Sequence, residues 1–99
     1  MGISANEKDA PIATDMSVTD AALTVELSDG RTLSVPLAWY PRLEYATPAE
    51  RGHWHFIANG QGIHWPEIDE HIRVVALLDG KGSNESQASL QRWLDSRGS

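Results

Sequence analysis

The sequence predicts an α+β domain, an antiparallel meander of three strands plus a second β-hairpin, with short helices and a candidate C-terminal helix. Three observations carry this prediction. Apolar and polar residues alternate on both sides of an Asp29-Gly30 turn signal. Two further alternating runs flank Asn59-Gly60. Near the end of the chain, Leu90, Trp93 and Leu94 recur at helical spacing.

In the first hairpin Leu23, Val25 and Leu27 alternate with polar residues, as do Leu33, Val35 and Leu37 on the returning arm. Period two means one buried face and one wet face, and directly opposed residues share a face. Paired residue numbers must therefore have an even sum. A two-residue loop would set Val25 against Ser34 and lose the pattern. A three-residue loop, Ser28-Asp29-Gly30 with Gly30 left-handed, sets Val25 opposite Leu33 and Leu23 opposite Val35. Pro36 has no N–H for a ladder and belongs at a strand end or on an edge. Upstream, Ile12, Thr14, Met16 and Val18 alternate with Ala13, Asp15 and Ser17, which completes the meander through a Thr19-Asp20 turn.

Strand character ends at Trp39-Tyr40-Pro41-Arg42-Leu43, where Pro41 suits the first position of a helical turn. Thr47-Pro48-Ala49-Glu50 is a stronger start, with a cap, a proline at the first position and a glutamate three residues after the cap; Gly52 stops it. In the second hairpin a two-residue Asn59-Gly60 loop sets Phe56 opposite Ile63 and Trp54 opposite Trp65. His53, His55 and Ile57 then share the other face with Gly62 and His64. An acidic connector, Glu67-Ile68-Asp69-Glu70, leads to a helix over 74–78 closed by Gly80, with a strand over 72–75 as the rival reading. Residues 81–87 read as a linker, and Ser86 caps the tail helix. The chain therefore divides into a disordered lead-in (1–11), one α+β domain (12–80), and a linker with a short amphipathic tail helix (81–99).

At 99 residues there is room for one core. With no cysteine, disulfides, thiolate zinc sites and thiol nucleophiles are excluded. No apolar run approaches the ~20 residues of a membrane span, and the first residues lack the apolar stretch of a signal peptide. Both features point to a cytoplasmic protein with no membrane association. Net charge is −6, and the eight Lys and Arg are scattered singly, the opposite of what phosphate backbones need. Direct nucleic-acid binding is therefore not expected. A basic protein partner is electrostatically natural, although solubility explains the same charge more simply.

His53, His55 and His64 are the sharpest candidates for chemistry, because three imidazoles from adjacent strands can hold zinc with one open position. Histidine also occupies half-exposed strand sites without any ligand. Glu67, Asp69 and Glu70 lie close together, but their spacing matches no calcium loop. No G-x-S-x-G elbow and no glycine-rich phosphate loop is present. The expectation is a protein that is not an enzyme and needs no cofactor. Of the four tryptophans, Trp54 and Trp65 are expected to cover the second hairpin and Trp39 to close the first, while Trp93 docks loosely or against another chain. The residues selected for interaction are Trp39, Tyr40, Arg42, Trp65, Glu67, Asp69, Glu70 and Trp93.

Asp29-Gly30-Arg31, Val35-Pro36-Leu37, Trp39-Tyr40-Pro41-Arg42-Leu43 and Ile63-His64-Trp65-Pro66-Glu67-Ile68-Asp69-Glu70 together resemble a bacterial family of small domains of unknown function, the family numbered 2442. The resemblance covers residues 13–80. It implies a small α+β domain, sometimes joined to a DNA-binding helical domain and sometimes encoded beside another small protein in a toxin–antitoxin-like arrangement, with no established activity. Two positions depart from the pattern: His71 stands where the family usually has an acidic residue, and His53 and His55 lie outside the motif. The reading that follows is a cytosolic protein-interaction module that binds a small protein partner or itself, in the manner of an antitoxin-like member of a two-gene pair. A histidine-based metal-binding protein or enzyme, and a DNA-regulatory accessory acting through a partner, are the alternatives.

Overall fold

Residues 10–97 are described by the computed structural model; residues 1–9 of the expected lead-in lie outside them. The chain forms two three-stranded antiparallel sheets with short helices and a C-terminal helix. The first sheet contains β1 (Ala13–Val18), β2 (Ala22–Leu27) and β3 (Thr32–Pro36) in that order. Its hairpin has the expected register, with Val25 opposite Leu33 and Leu23 opposite Val35. Leu27 N–H donates to Arg31 O at 2.9 Å, Gly30 N–H donates to Leu27 O at 3.0 Å, and Gly30 has φ +94°. The three-residue turn follows from the hydrophobic pattern, since only an even sum buries Leu23, Val25 and Val35 together. Pro36 ends β3 on an edge of the sheet.

The first strand departs from the simple alternation. A bulge between Ala13 and Asp15 shifts the register, so that Ala13 opposes Leu27 while Asp15 opposes Glu26. Ala13 and Met16 are buried and Thr14 is exposed, where strict alternation sets Ile12, Thr14 and Met16 on one face. The extra residue exchanges faces across the bulge. Beyond it, Ile12 stays attached, with Ser28 N–H donating to Ile12 O at 2.8 Å.

After a single 3₁₀ turn at Leu37–Trp39 come α1 (Pro41–Tyr45) and α2 (Pro48–Gly52). Proline opens each, and Thr47 with Glu50 forms a reciprocal capping box at α2, with bonds of 3.1 and 2.9 Å. The second sheet comprises β4 (His55–Ile57), β5 (Gly62–Trp65) and β6 (Glu70–Arg73). Gln61 N–H donates to Ala58 O at 3.1 Å, with Asn59 at φ +56° and Gly60 at φ +89°, the signs of a type I′ turn. Phe56 opposes Ile63 and His55 opposes His64, as the pattern requires. The ladder starts at His55, so the Trp54–Trp65 pair is not part of it, and Trp54 packs against Phe56 instead, centroids 4.9 Å apart.

The stretch read as helix or strand is both. β6 pairs with β5, Ile72 opposite Ile63, and gives way at once to α3 (Val74–Leu78). One core spans the two sheets. Leu23, Val25 and Val35 from the first meet Ile63, Trp65 and Ile72 from the second, with Leu37, Tyr40, Leu43, Ile68, Val74 and Leu77 between them. Gly60 joins the sheets at close range, since a Cβ there would lie 2.7 Å from Ala13 O. The last element, α4 (Gln87–Ser96), is capped by Ser86, which accepts from Ser89 N–H at 3.1 Å. Among the described residues no helix is long and apolar enough to cross a membrane.

Candidate functional site

Arg42 is the centre of the site. α1 carries its guanidinium to the segment after α3, where Nε lies 2.9 and 3.0 Å from the two Glu85 carboxylate oxygens and Nη2 lies 2.6 Å from Oε2. The remaining arm donates to Ile68 O at 2.9 Å. Side-chain exposures of 15% and 12% mark the pair as largely desolvated, so its fork geometry contributes more than a surface pair would. The Arg42 hydrogen bonds hold the Glu85 carboxyl below its usual range, and Ser89 Oγ adds a bond of 2.7 Å.

Trp93 on α4 lies between two guanidinium groups, Arg42 Cζ 5.1 Å and Arg97 Cζ 4.6 Å from its ring centroid. Arg97 in turn donates to Glu50 Oε1 at 2.7 Å. The tail helix is therefore docked by a cation–π stack with an ion pair at each end. Residues 81–87 are likewise held in place: Tyr40 Oη donates to Lys81 O at 2.8 Å, and Ser83 N–H donates to Trp39 O at 2.9 Å. Burial, assisted by the charge of Glu70, raises the Tyr40 hydroxyl to about 12.

Between β6 and residues 82–85 runs an open groove of about 440 Å³. Its inner side is formed by Asp69, Glu70, His71, Ile72 and Arg73, its outer side by Gly82, Ser83, Asn84 and Glu85, and Tyr40, Arg42 and Ala76 complete it. Glu70 is the distinctive group here. Burial raises its carboxyl to about 7, with the Glu85 and Asp69 charges adding and the Arg42 charge and a hydrogen bond from His71 N–H opposing. Asp69, which sets up the entry to β6, has φ +53°.

The groove brings together Tyr40, Arg42, Asp69 and Glu70 from the interaction candidates, and Trp93 stacks on Arg42 behind it. Trp39 stands at its edge, 37% exposed and against Gly82, where a Cβ would lie 3.1 Å from Trp39 O. Trp65 is different: it is wholly buried, with its indole N–H donating to Arg51 O at 3.0 Å, and so offers no contact surface. Glu67 is exposed and lies 3.2 Å from His53 Nδ1. His55 and His64 face each other edge-on at 5.1 Å, and His71 pairs with His64 across the next strand. Among the described residues no group of three or more histidine, aspartate or glutamate side chains is arranged to hold a metal ion.

Glu85 is the functional candidate that sequence reasoning missed. It lies 43 residues from Arg42, inside a segment whose Gly, Ser and Asn content reads as linker, and no local spacing links the two.

Two solved structures share the fold. A protein of unknown function from Rhodospirillum rubrum ATCC 11170 matches with TM-score 0.65 at 23% identity, over 80% of this chain and 95% of that one. An uncharacterised protein from Chromobacterium violaceum, solved by solution NMR, matches with TM-score 0.65 at 17% identity, over 99% of this chain and 97% of the other. No curated protein matches. The model of the family described as "Protein of unknown function (DUF2442)" matches residues 13–83, and the chain belongs to that family.

Proposed function

We propose that this protein is a small protein-interaction module whose docking face is the groove between β6 and residues 82–85. The observation that carries this reading is convergence: Tyr40, Arg42, Asp69, Glu70 and Glu85, from three separate stretches of chain, line one open groove. Arg42 pairs with Glu85, and the inner side carries Asp69 and Glu70 together with His71 and Arg73. A chain of net charge −6 is suited to a basic partner, as in the acidic half of a two-protein pair that acts on DNA through its basic member.

Affinity capture of the full chain from lysate of its source, followed by size-exclusion chromatography, tests the reading. The expected result is a defined complex that shifts the elution volume and is weakened by Asp69→Asn with Glu70→Gln. A strictly monomeric chain that retains nothing overturns it.

A further inference from the structure

Among the described residues the two sheets have four edges, and three are blunted. β1 carries a bulge with Asp15 exposed beside it, β3 ends in Pro36, and β4 is only three residues long. The outer edge of β6, four residues long, is the one that borders the groove. Val74 N–H donates to Gln61 O at 2.9 Å, one pair beyond the ladder in which Ile72 opposes Ile63. Alternation from that bond turns the main chain of Glu70 and Ile72 toward β5 and that of His71 away from it. Since the groove is lined by both faces of the strand, over five consecutive residues, it follows this outer edge. The four residues of β6 span about 13 Å, enough for a short peptide strand.

We propose that the outer edge of β6 accepts an extended, lysine- or arginine-bearing segment of a protein partner as a fourth strand of the second sheet. The proposal rests on the interaction reading above and adds the mode of binding and the charge of the partner. The His71 N–H is covered by the Glu70 carboxyl, its own neighbour in sequence. A main-chain carbonyl from the incoming strand takes over that N–H, and the released carboxylate, with Asp69 beside it, faces a cationic side chain. The Arg42 fork is held by Glu85, so Arg42 acts on them through its charge alone, and Arg73 stands at the far end of the same wall. Strand pairing thus provides the contact and the carboxylates select the charge.

The test uses the full-length ¹⁵N-labelled chain and three capped hexapeptides: alternating lysine and valine, alternating glutamate and valine, and the lysine peptide N-methylated at alternate residues. The lysine peptide is expected to shift the His71 amide and its neighbours in β6 and to slow their hydrogen exchange. Both other peptides should bind at least about fivefold more weakly, as should the lysine peptide to the Asp69→Asn, Glu70→Gln variant. Equal binding of the N-methylated peptide overturns strand addition, and equal binding of the glutamate peptide overturns the charge selection. Shifts centred on β1 or β3, or no shift with any peptide, overturn the β6 site. If a complex weakened by Asp69→Asn with Glu70→Gln is still captured from lysate in those cases, the groove reading stands without strand pairing; a complex those substitutions leave unchanged overturns both.

Discussion

The two sheets have the same number of strands and the same antiparallel order, yet they are built differently. The first is a regular meander whose outward residues are small and polar, with Thr24 and Ser34 sharing a hydrogen bond of 3.2 Å across the ladder. It presents one polar face and blunted edges. The second has short strands, left-handed residues at Ala58, Asn59 and Asp69, and aromatic and imidazole side chains on its faces. Its last strand borders a groove closed by residues from the other end of the chain. Regular alternation makes a scaffold, and the irregular sheet beside it carries the side chains that line the open groove. Backbone strain concentrates on that side, as it does at functional sites generally.

The largest expected effect contrasts the two turns. Gly60→Ala places a methyl group 2.7 Å from Ala13 O at φ +89°, whereas Gly30→Ala at φ +94° meets nothing within 4 Å. Left-handed alanine alone costs ~1–2 kcal/mol, so Gly30→Ala is expected to lose about that much, and Gly60→Ala about 3 kcal/mol or more. Urea unfolding of both variants measures the difference; equal losses would mean that the second turn is not pinned against the first sheet. Arg42→Met comes next. It leaves Glu85 half-buried without its partner and removes one side of the Trp93 stack, at a cost of about 2–3 kcal/mol. Hydrogen exchange should then show α4 opening while the first sheet keeps its protection.

The smallest expected effect is a pH dependence confined to the second sheet. Glu70 holds its proton up to about 7 in the folded chain, against an ordinary value of 4.5. Below about 4.5 both states are protonated. As pH rises from there to about 7 the unfolded chain ionises first, so Glu70 removes stability over that window, on the order of 2 kcal/mol after allowing for its partial exposure. Glu70→Gln is therefore expected to match the native chain near pH 4.5 and to melt at a higher temperature at pH 8. Thermal melts of both proteins across that range measure it, and parallel curves would remove the carboxyl from the buried side of the groove.

Much of the fold was legible because its signals are local. The three-residue turn at Gly30 follows from the parity of apolar positions on two adjacent arms. The capping box of Thr47 and Glu50 and the type I′ turn at Asn59-Gly60 each lie within four residues. The groove was legible only in part. Tyr40, Arg42, Asp69 and Glu70 stand out as residues of a recognisable motif, but nothing in their spacing shows that they share a space. Trp65 stood among the interaction candidates and proved to be the largest side chain wholly inside the core. Residue type sets how much area a side chain can bury, and the packing of distant elements sets whether it does.

The sequence by itself determined the registers of both hairpins, the starts of α1, α2 and α4, and the absence of thiol chemistry, since each depends on residues within one or two turns of chain. Tertiary structure alone decided that β6 joins the second sheet and that residues 82–85 wall a groove. It also decided that His53 meets Glu67 and that Arg42 reaches Glu85 across 43 residues. These outcomes depend on contacts between stretches whose local patterns are independent, and only the shared core brings them together.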